Sequence, residues 1–166
     1  MDNKYICQYR VDMNEVNLDR TDRHLLALLQ DDSRLTYEEL GHAVGLSAPA
    51  AYQRVRKLEE AGVITGYHAS VAPQALDRGA VVFLHVAPGP NTDVAKLALG
   101  WEAAGEVLEC HRLTGAYGYL LKLRLRDVSQ VERHLDAIRR AGGRASAELG
   151  IETLFERWTL PTPAQS

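Results

Sequence analysis

The chain has 166 residues, of which 46% are hydrophobic and 25% are charged, and its formal net charge is −3 at pH 7. This composition is typical of a globular protein of one or two small domains, and the slight negative charge argues against a surface that coats polyanions generally. No apolar run approaches the roughly 20 residues that span a bilayer, and the N-terminus has no basic region followed by an apolar stretch, so we expect a cytoplasmic protein without a membrane partner.

The chain begins with a segment that lacks clear periodicity, and a first helix follows it. Residues 1–17 are predicted to be an extension, either loose or ordered in part as a strand. Asp19 is predicted to be the N-cap of the helix, with Asp22 in the first turn. The inner face of this helix is formed by Leu25, Leu28 and Leu29.

Two further helices separated by a glycine turn are predicted next. Thr36 caps the first of them, and Glu39, three residues later, completes a capping box. Gly45 ends that helix. Ser47 caps the next one, with Pro49 in the first turn, where its missing N–H costs little. The core face of this last helix is formed by Ala51, Val55 and Leu58.

The outer side of this last helix is the candidate DNA-binding surface, because a helix-turn-helix places its second helix in the major groove of DNA. Long polar side chains there contact phosphates and guanine edges. The candidate residues are Ser47, Ala48, Ala50, Gln53, Arg54, Arg56 and Lys57.

Gly62 ends the helix, and residues 63–71 are predicted to be a β-rich segment, so residues 18–72 are predicted to be a winged helix-turn-helix that binds double-stranded DNA. This region has six cations against eight carboxylates, so binding would depend on a localised basic patch. A structural three-helix bundle with solvated charges is the alternative.

Residues 73–79 are predicted to be a hinge, because they combine Pro73 with several polar residues. The pattern then changes to strand, helix, strand, strand, helix, strand. The predicted strands cover residues 80–86, 107–113, 119–126 and 145–155, and helical stripes cover residues 94–101 and 131–138. This order predicts an α+β protein with a βαββαβ ferredoxin-like domain over residues 80–158 and a tail over residues 159–166.

Two helices can cover only one face of a four-stranded sheet. The opposite face would expose either Val81 and Phe83 or Val82 and Leu84, depending on which pair points outward. An apolar patch of this kind normally marks an interface. We therefore predict a homodimer, whose twofold symmetry would present two recognition helices one or more turns of DNA apart.

Five segments of the chain stand in the order and spacing of a known family. They are LDRTDRHLLALLQDDSRL, VGLS, RVRKLEEAGVITGY, ECHRLTGAYGYLLKLR and DVS. Over residues 18–155 the chain therefore resembles the Lrp/AsnC, or feast/famine, family of bacterial and archaeal transcription regulators. The resemblance implies a DNA-binding domain joined to a regulatory domain, dimers that assemble into octamers or larger rings, and an amino acid or related small molecule as effector.

The resemblance also implies where an effector binds: at a contact between dimers, on the turn after the second strand of the regulatory domain and on last-strand residues of a neighbouring dimer. The corresponding residues are Leu113, Thr114, Gly115, Ala116, Tyr117, Gly118, Ser146 and Glu148. The family turn commonly has two acidic residues where this chain has Ala116 and Gly118, which removes a partner for an effector's ammonium group. Glu148 is expected either to replace that charge or to be a solvated strand residue.

An enzyme is the main alternative, because siroheme decarboxylases resemble the same two-domain scaffold. Their His-Asn-Tyr type stretch is missing from the hairpin of this chain, and its six histidines are scattered. Nucleophile elbows, phosphate loops and dinucleotide fingerprints are also missing, so we expect no enzyme, no cofactor and no metal. Cys7 and Cys110 lack CxxC spacing, and Cys110 is expected to be a small buried strand residue. A nucleoid-organising protein that coats DNA is a further alternative.

Overall fold

The structure is a computed structural model that describes residues 16–162, and these residues divide into two compact units. The helical unit comprises residues 16–69 and 155–162, and the sheet unit comprises residues 70–154. The chain therefore passes between the units twice. Most of the predicted N-terminal extension and the last four residues of the predicted tail lie outside the described residues.

Three helices form the helical unit: α1 (Arg20–Asp31), α2 (Tyr37–Val44) and α3 (Ala48–Glu60). Their N-caps are, as predicted, Asp19, Thr36 and Ser47. Each cap side chain accepts a hydrogen bond from a first-turn N–H group that has no partner inside the helix. The core of the unit is formed by Leu25, Leu40, Ala51 and Val55. The helix-turn-helix prediction is therefore confirmed.

The turn between α2 and α3 depends on two glycines. Gly45 ends α2 in the left-handed region, with φ of 71° and ψ of 32°, which most side chains disfavour. Gly41 is buried inside α2, and an added Cβ there would lie only 2.7 Å from the carbonyl oxygen of Leu46. The N–H of Leu46 donates to the carbonyl of Gly41 at 2.8 Å, so the turn folds back directly onto the helix. The close approach of α2 to this turn thus requires a residue without a side chain.

The prediction of a β-rich segment over residues 63–71 is wrong, because these residues form no strand. The N–H groups of Val63 and Ile64 both donate to the carbonyl of Leu58, at 2.9 and 3.2 Å, and so complete the end of α3. Ile64 also packs against the helical core. The start of the segment is therefore used to close the helix, and the described residues offer the rest of it no neighbouring strand to pair with.

The sheet unit contains four strands and two α-helices in the predicted order, together with short 3-10 helices at Pro73–Leu76 and Val128–Gln130. The strands and α-helices are β1 (Ala80–Ala87), α4 (Val94–Ala103), β2 (Val107–Arg112), β3 (Tyr119–Leu125), α5 (Val131–Arg140) and β4 (Arg144–Gly150). The strands are arranged β2-β3-β1-β4, and every neighbouring pair is antiparallel. This is the predicted ferredoxin-like fold, with β1 and β3 at the centre.

The structure shows which side chains lie on each face of the sheet. Val82, Leu84 and Val86 of β1 pack with leucines of β3 against Trp101 and Ile138 of the helices. Because side chains alternate along a strand, Val81 and Phe83 lie on the opposite face, which we call the open face. From the strand register, the open face also carries His85, Leu120, Lys122, Ser146 and Glu148. Val81 is only 6% exposed, so the apolar patch on this face is smaller than the sequence indicates.

Two details at the sheet edges differ from prediction. Strand β4 ends at Gly150 and not at residue 155, because Gly150 pairs with Val81 and β1 begins only one residue earlier. Cys110 is exposed and not buried. It shares the helix-covered face with Leu121, its partner in the register, but β2 is an edge strand, where burial by neighbours is incomplete. The partial burial that remains raises the pKa of the Cys110 thiol.

Gly41→Ala is expected to destabilise the helical unit by about 1–3 kcal/mol, because the added methyl group would press on the turn backbone. Gly100→Ala is the matched control, since Gly100 lies inside α4 and an added methyl group would meet open space there. That control is expected to stabilise by about 0.5–1 kcal/mol through helix propensity alone. Urea denaturation followed by circular dichroism measures both, and a stabilised Gly41→Ala protein would show that the turn has room.

Candidate DNA interface and effector region

Helix α3 separates its core face from its outer face cleanly. Ala51, Val55 and Leu58 are at most 3% exposed. The outer face forms a shallow groove lined by Tyr52, Gln53, Arg54, Arg56, Lys57 and Glu60. At the start of the helix, Ser47 is exposed, and the small residues Ala48 and Ala50 are half-buried. A surface of this kind presents both hydrogen-bond donors and a helix N-terminus to solvent.

Arg54 differs from the other predicted DNA contacts, because its guanidinium group is already bound. Its Nη1 atom donates to Asp19 Oδ2 at 2.6 Å and to Asp22 Oδ1 at 2.7 Å. The same two aspartates form the capping box of α1. The backbone N–H of Asp22 and then Arg54 hold the pKa of Asp19 below its usual value. Arg54 therefore ties α3 to the start of α1 and is not the free donor that the sequence suggested.

The remaining donors of α3 are more available. Arg56 makes two long ion pairs with glutamates of its own helix, at 3.4 Å to Glu59 and 3.3 Å to Glu60. Exposed pairs of this type contribute little and are readily exchanged for other anions. Lys57 is exposed, and no ion pair is found for it within residues 16–162. Gln53 is exposed as well. These three side chains can reach outward without breaking the fold.

Aromatic side chains next to this surface were missed by the sequence analysis. The rings of Tyr37, at the start of α2, and Tyr52, on α3, meet edge to face with centroids 5.1 Å apart. The hydroxyl of Tyr67 donates to Glu59 at 3.0 Å, and burial together with this carboxylate raises the pKa of Tyr67 to about 12. The signal was the helical register, which puts Tyr52 beside Gln53 on the outer side of α3.

The predicted effector turn, residues 113–118, joins β2 to β3. The N–H of Leu113 donates to the carbonyl of Gly118 at 2.8 Å, and the N–H of Gly118 donates to the carbonyl of Val86 at 2.9 Å. Gly115 has a φ of 119°, which favours glycine. The side chains of Leu113, Thr114, Ala116 and Tyr117 are exposed. The turn is thus anchored through its backbone while its side chains face solvent.

His85 connects this turn to β4, and the sequence analysis did not identify it. Its ring lies 5.1 Å from the ring of Tyr117, and its Nε2 atom lies 3.6 Å from Glu148 Oε1. Ser146 is its partner in the β1–β4 register. The alternation of β1 could have revealed it, because His85 follows Val81 and Phe83 on the open face. His85, Tyr117, Ser146 and Glu148 are therefore brought together within one chain.

Gly118 stands where the family turn commonly has an acidic residue, and its surroundings leave little room for a side chain. A Cβ added to Gly118 would lie 3.2 Å from Pro88 Cδ, which is tighter than ordinary van der Waals contact. No such crowding applies to Ala116, which is exposed. Glu148 supplies a carboxylate beside His85, whose ring also lies against Tyr117 of the turn.

A separate charged cluster surrounds Glu106, just before β2. Its carboxylate contacts Arg78, Arg133 and His134. Burial favours its neutral form, but the neighbouring charges prevail and keep the pKa of Glu106 below its usual value. Burial lowers the pKa of His134, which favours the neutral imidazole. Since Arg78 precedes β1 and the other two partners belong to α5, the cluster holds the segment before the sheet against this unit.

No group of metal-ligating side chains is found among residues 16–162, and no helix in this range is long and apolar enough to cross a membrane.

Comparisons with known proteins match both units. Residues 18–59 match the AsnC-type helix-turn-helix domain, and residues 79–149 match the Lrp/AsnC ligand binding domain. The chain is 40% identical over 128 residues to the leucine-responsive regulatory protein of Escherichia coli strain K12, covering 72% of this chain and 74% of that protein. It is also 40% identical over 119 residues to an uncharacterised HTH-type transcriptional regulator of Bacillus subtilis, covering 72% and 84%.

A solved structure is similar over both units. A transcriptional regulator from Neisseria meningitidis in complex with L-methionine matches with a TM-score of 0.79 at 30% identity, covering 87% of this chain and 96% of that chain. The order of the two units is therefore the same as in a known regulator.

Arg54→Ala is expected to destabilise the helical unit by about 1 kcal/mol, because the partly exposed link to Asp19 and Asp22 is lost. Lys57→Ala is the control and should leave the free energy of unfolding within about 0.5 kcal/mol of wild type. The lowered pKa of Asp19 sets a pH signature. The link stabilises the fold above the usual aspartate pKa of 3.8 and is lost as the pH falls further, so the difference from wild type should shrink there. Urea titrations at neutral and acidic pH test this, and a constant difference would contradict it.

Proposed function

Because this chain belongs to the Lrp/AsnC family of transcriptional regulators, we propose that residues 18–72 bind operator DNA and that residues 80–158 receive a small-molecule effector, with residues 73–79 as the hinge. The single observation that carries the DNA-binding part is the outer face of α3, where Gln53, Arg56 and Lys57 project away from a fully buried core face. A regulator of this type acts on DNA in the cytoplasm. The relatives are transcriptional regulators, which supports this proposal over an enzyme.

The proposed contacts of α3 divide into two groups. Gln53, Arg56 and Lys57 reach base edges and phosphates from the middle of the helix. Ser47, Ala48 and Ala50 lie at the helix start, where N–H groups and the helix dipole favour a phosphate and where small side chains allow close approach. Arg54 acts as a positioning residue, because it fixes the angle of α3 against α1.

We propose that the chain forms a homodimer and that dimers assemble further, with an octamer as the expected size. Phe83 and Leu120 of the open face are half-buried in the single chain and remain apolar groups that a second copy would cover. Twofold symmetry would then present two copies of α3 to one operator. The octamer rests on the family resemblance.

The proposed effector site consists of the turn residues 113–118 with Ser146 and Glu148, and we add His85. The similar Neisseria meningitidis regulator was solved with L-methionine, which supports an amino acid effector for this chain. An amino acid carries an ammonium group that needs an anionic partner. Because the turn has no carboxylate, Glu148 is the proposed partner, and the ammonium group would replace its long contact with His85.

Lys57→Ala and Arg56→Ala are each expected to weaken operator binding about tenfold, and each phosphate contact removed should lower the salt slope by about 1. The probe is a duplex that wild-type protein selects from a random-sequence pool, measured by fluorescence anisotropy at several salt concentrations. Arg34→Ala is the control, since Arg34 lies outside α3 and pairs with Asp32.

Wild-type affinity in both α3 variants would contradict the DNA-binding assignment. Equal affinity of the wild-type protein for the selected duplex and an unrelated one at fixed salt would instead favour a DNA-coating protein.

Glu148→Gln is expected to abolish stabilisation by amino acids, because the amide cannot pair with an ammonium group. Thermal-shift measurements with L-methionine and a panel of other amino acids test this, and an effector at 100 times its Kd should add about 2.7 kcal/mol to wild type. Glu152→Gln is the control, because this exposed glutamate lies just beyond β4. An undiminished shift in Glu148→Gln would show that the effector is held by other groups.

A further inference from the structure

An aromatic pair joins the start of α2 to the outer face of α3. Tyr37 is the first residue of α2, Tyr52 lies in the first half of α3, and their rings meet at an interplanar angle of 85°. The two residues remain 39% and 40% exposed. Within α3, all of which the structure describes, Tyr52 is the only exposed large hydrophobic residue, since Val55 and Leu58 are buried. The pair therefore adds an apolar group to a surface whose other long side chains are polar or charged.

We infer that Tyr52 is a specificity-determining residue of the DNA interface and that its ring contacts the C5-methyl group of a thymine. Among the four standard bases only thymine presents a methyl group in the major groove, and proteins read it through apolar contact. The inference rests on the proposed binding of α3 to operator DNA. It goes beyond that proposal, because the donors of Gln53, Arg56 and Lys57 read polar base edges and phosphates and not a methyl group.

The position of Tyr52 along α3 favours a base edge over the DNA backbone. Gln53 follows Tyr52 directly, and Arg56 lies four residues on, so that it is a neighbour of Tyr52 on the helix surface. All three side chains line the same shallow groove. In a helix-turn-helix the N-terminal residues of the second helix contact base edges, while the first helix crosses the backbone. The ring of Tyr52 is therefore expected in the major groove, beside the donors of Gln53 and Arg56.

Tyr37 restrains the ring of Tyr52. Edge-to-face contact at a centroid distance of 5.1 Å is a favourable arrangement of two aromatic rings. Tyrosine has only two side-chain torsions, so a ring that is already packed loses little conformational entropy when DNA binds. Contact with a single methyl group needs a fixed ring, because dispersion attraction weakens quickly once a gap opens. Tyr37 is therefore a positioning residue for Tyr52.

The first measurement uses the wild-type protein and changes only the DNA. The probe is the duplex that this protein selects from a random-sequence pool, and its thymines are replaced one at a time by deoxyuridine. Deoxyuridine keeps the base-pair hydrogen bonds of thymine but lacks the methyl group. We expect at least one thymine whose replacement raises the Kd about fourfold, the equivalent of one methylene-sized group no longer buried. Fluorescence anisotropy at fixed salt measures this ratio.

The second measurement repeats the replacement at that thymine with full-length variants, whose fold is checked by circular dichroism. Tyr52→Ala should bind both duplexes equally, because the ring that distinguishes them is gone. Tyr52→Phe should keep the fourfold ratio, since it keeps the ring. Tyr37→Ala should reduce the ratio, because it frees the ring. Lys57→Ala is the matched control, which should weaken binding to both duplexes and leave their ratio at about four.

The outcomes separate the methyl contact from DNA binding itself. If the wild-type protein binds the selected duplex tightly and no thymine replacement changes the Kd, the inference is wrong and DNA binding stands. A fourfold ratio that persists in Tyr52→Ala would assign the effect to another side chain or to duplex deformability, and would also overturn it. Weaker binding of Tyr52→Phe with no sensitive thymine would show a phosphate contact by the hydroxyl instead. A wild-type protein that selects no duplex would contradict the proposed function and the inference with it.

Discussion

Strand β1 is the element on which the sheet unit depends, because it is hydrogen-bonded to β3 on one side and to β4 on the other. Its alternation sorts every side chain to one of two faces. Val82, Leu84 and Val86 enter the core, while Phe83 and His85 face outward. A shift of one residue in its register would exchange these sets and bury a histidine. The core and the proposed effector region are both fixed by this one register.

The helical unit has a comparable constraint. It has few basic residues, and one of them has a structural role. Residues 18–72 contain six lysine and arginine residues, and one of them, Arg54, is bound to Asp19 and Asp22. Its Nη1 atom carries two N–H groups, and it donates to one oxygen of each carboxylate. Joining α3 to the cap of α1 in this way orders the surface that Gln53 and Lys57 present. Part of the basic charge on α3 thus contributes to the geometry of the helix pair and not to attraction of DNA.

The proposed effector region is shaped by local steric demands. The turn between β2 and β3 is fixed by hydrogen bonds from Leu113 and Gly118, and Pro88 leaves little room for a side chain at position 118. In the proposed effector site the turn residues 113–118 carry no carboxylate, so the proposed partner of an ammonium group is Glu148 on β4. Glu148 lies close enough to His85 to be held near the turn. Recognition would then depend on the pairing of β1 with β4 as much as on the turn itself.

The sequence by itself determined the three N-caps, the buried stripe of α3 and the βαββαβ order, because capping and helical or strand periodicity are local properties of neighbouring residues. The predicted elements that carry the candidate residues, which are α3 with its N-cap, the turn between β2 and β3, and β4, are all present in the structure. Tertiary structure decided the rest. It gave Arg54 a partner 35 residues away, assigned Val82 and not Val81 to the core, and brought His85 to Tyr117 and Glu148.

The predictions that the structure contradicts failed for one physical reason. Residues 63–71 have strand-forming side chains, but a strand needs a neighbour, and the first N–H groups of this segment close α3 instead. Cys110 has the character of a core residue, but its strand lies at the edge of the sheet. Residues 151–155 were predicted to continue the last strand, but Gly150 already pairs with Val81 and β1 begins at Ala80, so β1 offers them almost no further backbone to pair with. Composition sets what a segment favours, and only the arrangement of distant segments decides whether a partner is present.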